Sequence, residues 1–298
     1  MRTHAFAHGM GWIPDLPDFR DYTAEHPLIR PLLRRVGLDG HTSKPAARKK
    51  GLPASTDLRN WCSPVEDQGK LGSCTAQAGV GMLEYYERRA FAKHIEASRL
   101  FLYKATRNLM HEEGDTGAFL RTTIGAMVLF GIPPEEYWPY VVEDFDKEPT
   151  AFCYAFAHNY QAISYYLLDP PGTAAPGLLA AVKEHLAAGI PSVFGFTVYD
   201  SISDAEQDGL IPFPKPGEKV LGGHAVMAAG YDDALETGVG GTGKKPSKGA
   251  LLIRNSWGSD WGQSGYGWLP YEYVLQGLAI DWWALLKTEW VDTGQFGA

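Results

Sequence analysis

The chain has 298 residues, enough to bury a large core as one domain or as two lobes. Its 45% hydrophobic and 21% charged content is that of a globular protein, and a net charge of −8 argues against nucleic acid as the main partner. No apolar run reaches the roughly 18–20 residues of a membrane span and the N-terminus lacks a signal-peptide core, so no membrane is expected as a partner, and the expected location is cytoplasmic or outside the cell by a non-standard route.

Residues 1–51 are rich in Pro, Gly and charge without sustained periodicity, and read as an N-terminal extension or pro-segment rather than a domain. Within them, 28–50 carries Arg30, Arg34, Arg35, Lys44, Arg48, Lys49 and Lys50 against Asp39, a net +6 that leaves −14 on the rest of the chain. This basic stretch is expected to lie on the acidic body. Ahead of it, GWIPDLPDFRDY (11–22) interleaves aromatic and aliphatic side chains with prolines, as an extended strap that fills successive pockets would.

The body begins near Leu52. Residues 74–95 place Ala76, Val80, Leu83 and Ala90 on an approximate helical stripe despite two glycines. Further helices are predicted over 98–110, 118–130 (stopped by Gly131 and Pro133-Pro134) and 177–189. Beyond Gly189 the pattern becomes strands, at 191–199, 224–232, 250–257, 266–274 and 281–290, rich in β-branched and aromatic residues. A mainly helical part (about 52–188) followed by a mainly β part (about 189–298) predicts an α+β body with a cleft between lobes. Gly238, Gly243 and Lys244 have the spacing of a phosphate loop, but Lys245 and Pro246 follow where a Ser or Thr and a helix are required, so 237–249 reads as a hairpin loop.

Three cysteines are too few for a disulfide framework; one Cys62–Cys153 bond stays open beside the alternative of three reduced thiols. Cys74 differs from the other two. It ends a glycine-rich turn at the start of the 74–95 helix, where the dipole favours a thiolate, the attacking species. His224 lies beside Gly222 and Gly223 at the start of an apolar strand, where little crowds its ring. Asn255 follows another apolar strand and can accept from the imidazole, setting its tautomer, with Trp257 and Trp261 able to shield that bond. Gln68 can donate its amide to an oxyanion together with the Cys74 N–H.

Together and in this order, these residues resemble the papain-like cysteine peptidases. The family's Gln-Gly-x-x-Gly-Ser-Cys stretch appears at 68–74, its histidine region as GGHAVMAAGY (222–231) and its Asn-Ser-Trp stretch as NSWGSDWGQSGY (255–266). The likeness spans roughly residues 52–285 and is that of a bacterial-type member with an atypical N-terminal extension. It implies a two-lobed fold, a helical lobe facing an antiparallel β-barrel-like lobe. It implies Cys74 as nucleophile, His224 as general base and acid, Asn255 as orienter and Gln68 as oxyanion donor. Gly117 and Gly223 would meet an extended substrate, Gly117 by backbone pairing, and Trp257 would line the leaving-group side. Protein or peptide substrates, a monomer, and no cofactor or metal are implied, with residues 1–51 covering the cleft.

Four features depart from the family pattern. Leu71 stands where relatives often have a cysteine and Thr75 replaces the common tryptophan. The helical propeptide signature is absent from 1–51, and the 31 residues from His224 to Asn255 include the Gly/Lys loop. An acyl-transferase using the same nucleophile, or a binding module on a peptidase fold, are the alternative functions.

Overall fold

The computed structural model describes residues 8–38, 51–158, 164–239 and 246–297. Short strand β1 (Trp12–Ile13) and helix α1 (Arg30–Arg35) precede β2 (Ser55–Asp57), and the helical lobe follows. Its helices are α2 (Cys74–Phe91), α3 (Arg99–Met110) and, after strand β3 (Ala118–Phe119), α4 (Leu120–Leu129) and α5 (Ala151–Ala157). The β lobe consists of β4 (Ser164–Leu167), α6 (Ala175–Ala187), β5 (Ser192–Tyr199), β6 (Val220–Val239), β7 (Pro246–Arg254), β8 (Tyr266–Pro270), α7 (Tyr271–Leu275), β9 (Ala279–Leu286) and α8 (Thr288–Asp292). Seven strands form one antiparallel sheet in the order β4-β9-β5-β6-β7-β8, with β2 added along β6. The fold is the expected two-lobed α+β arrangement.

Helix α2 is buried from Cys74 to Tyr86 and packs against β6, α3 and α4. Its two glycines are sites of close approach. A Cβ at Gly79 would stand 3.0 Å from Met127 Sδ and one at Gly81 2.2 Å from Arg254 Nη1. Helix propensity is given up there so that α4 and the Arg254 guanidinium can reach the helix. Arg254 in turn donates to Ser63 Oγ (3.0 Å) and the Pro64 carbonyl (2.6 Å), tying β7 to the helical lobe. Ser98 caps α3 by accepting from the Phe101 amide, as its position before the apolar stripe requires.

Two predicted strands end early. The last four residues of the 266–274 strand belong to α7, whose Tyr271, Tyr273 and Val274 turn into the core, and the last three of the 281–290 strand belong to α8, whose Trp290 stacks on Tyr86. Cys62 and Cys153 are buried, free thiols, so the bond left open between them does not exist.

The N-terminal segment is attached differently from the expectation. Ile29, Leu33, Val36 and Leu38 are buried in the common core, with α1 lying against α8 and Arg35 paired with Asp292. Asp15 and Asp21 of the strap pair with Arg121 of α4, so here the segment supplies the anions and the body the cation. Lys44, Arg48, Lys49 and Lys50, most of the basic stretch, lie outside the described residues, as do 240–245 of the Gly/Lys loop.

Candidate active site

Cys74 is the first residue of α2, and its Sγ accepts from the Ala225 amide of β6 at 3.3 Å. The adjoining His224 is held in β6 by register with Phe196 of β5. Its Nε2 lies 2.8 Å from Asn255 Oδ1, just past the end of β7. Asn255 Oδ1 also accepts from the Ser256 amide, which marks that atom as an acceptor and therefore places the imidazole proton on Nε2. Nδ1 is left as the basic nitrogen, buried and without a hydrogen-bond partner among the described residues. Trp257 stacks on the imidazole (4.5 Å between centroids) and meets Trp261 edge-on, so the His224–Asn255 bond lies under indole.

Gln68 is held from both ends. Its Nε2 donates to the Leu71 carbonyl at 2.8 Å, and its Oε1 accepts from Ser256 Oγ at 2.5 Å. Ser256 thus orients the side chain expected to meet an oxyanion. It sits inside the Asn-Ser-Trp motif, but only the fold brings it 188 positions back to Gln68.

Residues 8–13 lie in the cleft. Gly9 donates to the Gly69 carbonyl (2.7 Å) and its own carbonyl accepts from Trp257 Nε1 (3.0 Å), while His8 stacks on Trp257. The Met10 carbonyl approaches Gln68 Nε2 at 3.4 Å. Gly11 donates to the Gly223 carbonyl (3.2 Å) and accepts from the Ala118 amide (2.8 Å). Trp12 and Ile13 then pair in parallel with β3. The contact of Gly223 is thus with the chain's own N-terminal segment. The Gly117 N–H goes to Tyr103 Oη, and a Cβ on it would stand 2.2 Å from the Gly11 carbonyl. The pairing donor is Ala118.

Burial acts against the expected electrostatics. Burial pushes the Cys74 thiol up to about 12, outweighing the amides that face it, and brings His224 down to about 4 despite its bond to Asn255. The helix start was expected to favour a thiolate, but with solvent excluded from both groups the desolvation of charge is the larger effect.

A model of the papain family cysteine proteases matches residues 52–276. The chain belongs to this family. Among relatives of this peptidase, an uncharacterized peptidase C1-like protein of Acanthamoeba polyphaga mimivirus is 33% identical over 302 residues, 96% of this chain and 89% of that protein. Human cathepsin L2 is 28% identical over 72% of this chain and 60% of its own length. Among solved structures, xylellain, a cysteine protease from Xylella fastidiosa, superposes with a TM-score of 0.72 at 30% identity, covering 95% of this chain and 97% of that one. The procathepsin L 3 of Tenebrio molitor shares the fold at a TM-score of 0.59 and 21% identity, over 81% and 72% of the two chains. This papain-family peptidase is accordingly a hydrolase of peptide bonds.

Proposed function

We propose that the chain is a thiol endopeptidase acting through Cys74, His224 and Asn255, with Gln68 as oxyanion donor and residues 8–13 as its restraint. The observation that carries this reading is that Cys74 Sγ lies on the Ala225 amide, next in the chain to His224, whose Nε2 is engaged by Asn255 Oδ1. In an uncovered cleft His224 Nδ1 takes the thiol proton and Sγ attacks the peptide carbonyl. The oxyanion is met by Gln68 Nε2 and the Cys74 N–H. Collapse of this intermediate breaks the C–N bond, the imidazolium gives its proton to the departing amine, and water activated by the same imidazole hydrolyses the thioester.

The direction of the strap supports restraint. It enters at Trp257 with Gly9 and leaves at Ala118 with Trp12, while the assignments above place a substrate's acyl portion at Ala118 and its leaving portion at Trp257. The strap therefore lies the opposite way round, with the Trp12 amide among those that face Sγ.

Gln68→Ala is expected to lower kcat by about 10²–10³ while alkylation of Cys74 is nearly retained, because an oxyanion donor acts in the transition state. Unchanged kcat/KM in this variant would remove Gln68 from the site.

The cover also has a defined proton balance. His224, held at about 4 against an ordinary 6.5, takes a proton more readily once uncovered; this contribution to the cover is full above pH 6.5 and falls as the pH drops toward 4. Asp281 acts in the opposite sense. Burial, with Asp15 beside it, pushes its carboxyl up to about 7 from 3.8, so its contribution is full at the acid end and is lost as the pH rises through 7. Between pH 4 and 6.5 the slopes oppose, and the protection of the Gly11 and Ala118 amides against hydrogen exchange, corrected for intrinsic rate, reads their balance. In Asp281→Asn that protection is expected to fall on acidification, by a factor approaching about ten per pH unit. A flat profile in the variant would show that burial of His224 does not oppose the cover.

A further inference from the structure

The turn from Gln68 to Cys74 contains Gly69 and Gly72 and no covalent tie, since all three cysteines are free thiols. Gly69 sits at φ +62, and a backbone with such freedom keeps one shape only where groups outside the turn hold it. One of these groups is Tyr140, which follows the single helical turn Glu135–Tyr137. Its Oη donates to the Gln68 carbonyl at 3.1 Å and lies 2.7 Å from Ser73 Oγ. A phenol has one proton, and with that proton on the Gln68 carbonyl, Ser73 is the donor in the second bond. A single oxygen thus joins residue 68 to residue 73, the neighbour of Cys74. Ser73 is also the N-cap of α2, where a serine side chain ordinarily accepts from an amide of the first turn, yet it makes no capping bond. Its hydroxyl is spent on Tyr140 instead, and the Thr75 amide, one of those such a cap engages, faces Cys74 Sγ.

We infer that Tyr140 is a positioning residue of the hydrolytic site: its hydroxyl fixes the separation of the Gln68 side chain from the Cys74 N–H and keeps Ser73 from capping α2. This inference rests on the proposed peptidase site. The work is divided with Ser256, which orients the Gln68 side chain, whereas Tyr140 holds the backbone behind it. Tyr140 is itself held by its surroundings. Its amide donates to Glu135 Oε1 at 3.1 Å, and the Arg99 guanidinium lies over its ring, 5.5 Å from the centroid. Arg99, the first residue of α3 and 6% exposed, pairs with the same Glu135 at 2.6 Å and with Glu66, two positions before Gln68, also at 2.6 Å. A buried guanidinium stripped of its carboxylates is strongly unfavourable, so these pairs hold the approach to Gln68 and the loop of Tyr140 in one arrangement. Burial pushes the Tyr140 phenol up, and it keeps its proton as a donor at neutral pH.

The test is Tyr140→Phe in the full chain, which keeps the ring beneath Arg99 and removes the hydroxyl alone. On a fluorogenic peptide amide, kcat is expected to fall about tenfold to a hundredfold with KM nearly unchanged, because a displaced oxyanion donor is missed chiefly in the transition state. Alkylation of Cys74 by iodoacetamide, which builds no oxyanion, should stay within about twofold, showing that the strap opens as before. The deciding readout is the pairing with Gln68→Ala. In that background Tyr140→Phe should cost no more than about threefold, since most of its effect passes through Gln68. A merely structural tyrosine would lower the thermal midpoint and leave the two losses independent. Unchanged kcat in a folded Tyr140→Phe chain, or the same fold-loss with and without Gln68, overturns the inference. Ser73→Ala covers the case in which Tyr140→Phe does not fold. A loss of kcat on the order of tenfold there, again muted by Gln68→Ala, supports the inference, and an unchanged kcat refutes it. Absence of any Cys74-dependent turnover in the unsubstituted chain is a different result, which removes the peptidase reading and this inference with it.

Discussion

Cys74→Ala is expected to abolish peptide hydrolysis, lowering kcat by at least about 10⁴-fold, because no other group at the start of α2 can form the acyl intermediate. A thiol-directed peptide epoxide should label Cys74 and leave Cys62 and Cys153 unmodified. All three thiols are buried, so exposure alone does not distinguish them. Reactivity does: Cys74 adjoins β6 beside the His224–Asn255 pair and lies under the strap that is proposed to be displaced, whereas Cys62 faces the Leu58 carbonyl inside the core and Cys153 the Tyr137 carbonyl. Peptide mapping of the adduct decides the matter. Equal labelling of the three cysteines, or residual turnover in Cys74→Ala, would sink the assignment.

Gly11→Val is expected to speed alkylation of Cys74 on the order of 10²-fold by dislodging the strap. Gly11 has φ +130, a backbone closed to a β-branched residue, and a Cβ there would stand 2.0 Å from the Gly72 carbonyl oxygen. Strain of a few kcal/mol would then weigh against the covered cleft alone. Gly51→Val, at a position with nothing within 4 Å, is the matched control and should leave the rate unchanged. Alkylation no faster in a folded Gly11→Val chain than in the control would mean that the strap does not limit access. Deleting residues 1–51 is a poorer experiment, because it also removes Ile29, Leu33, Val36 and Leu38 from the core. The destabilisation of the body would mask any gain in access.

Much of this site could be read from one-dimensional pattern. The helical stripes of α2, α3, α4 and α6 and the apolar runs behind β5, β6 and β7 survive as elements because burial and periodicity agree in them. The residues meeting at the start of α2 lie within short motifs, so their types announce a shared chemistry even though Cys74 and Ala225 are 151 positions apart. Helix α1 was hidden for the opposite reason. Ile29, Leu33 and Val36 do have helical spacing, but over two turns of a stretch dominated by arginine and proline. Strand 266–274 was read too long because YEYV has the composition of a strand, whereas Pro270 caps a short helix there. The reversed protonation of Cys74 and His224 and the carboxylate under Trp12 were beyond any local pattern. The first is a matter of burial in the folded chain, and the second depends on Trp12 folding onto Asp281 of β9, 269 positions away.

The absence of disulfide bonds from the three-cysteine chain has a practical meaning. In a protein stapled by sulfur bridges, a reductant strong enough to keep a nucleophilic thiol active also attacks the scaffold. Here the lobes are joined by α2 packing on β6 and by the Arg254 guanidinium, none of which responds to redox potential. Oxidation state and structural integrity are therefore independent variables for this peptidase. Its thiol can be titrated against any excess of reductant with the fold as a constant background.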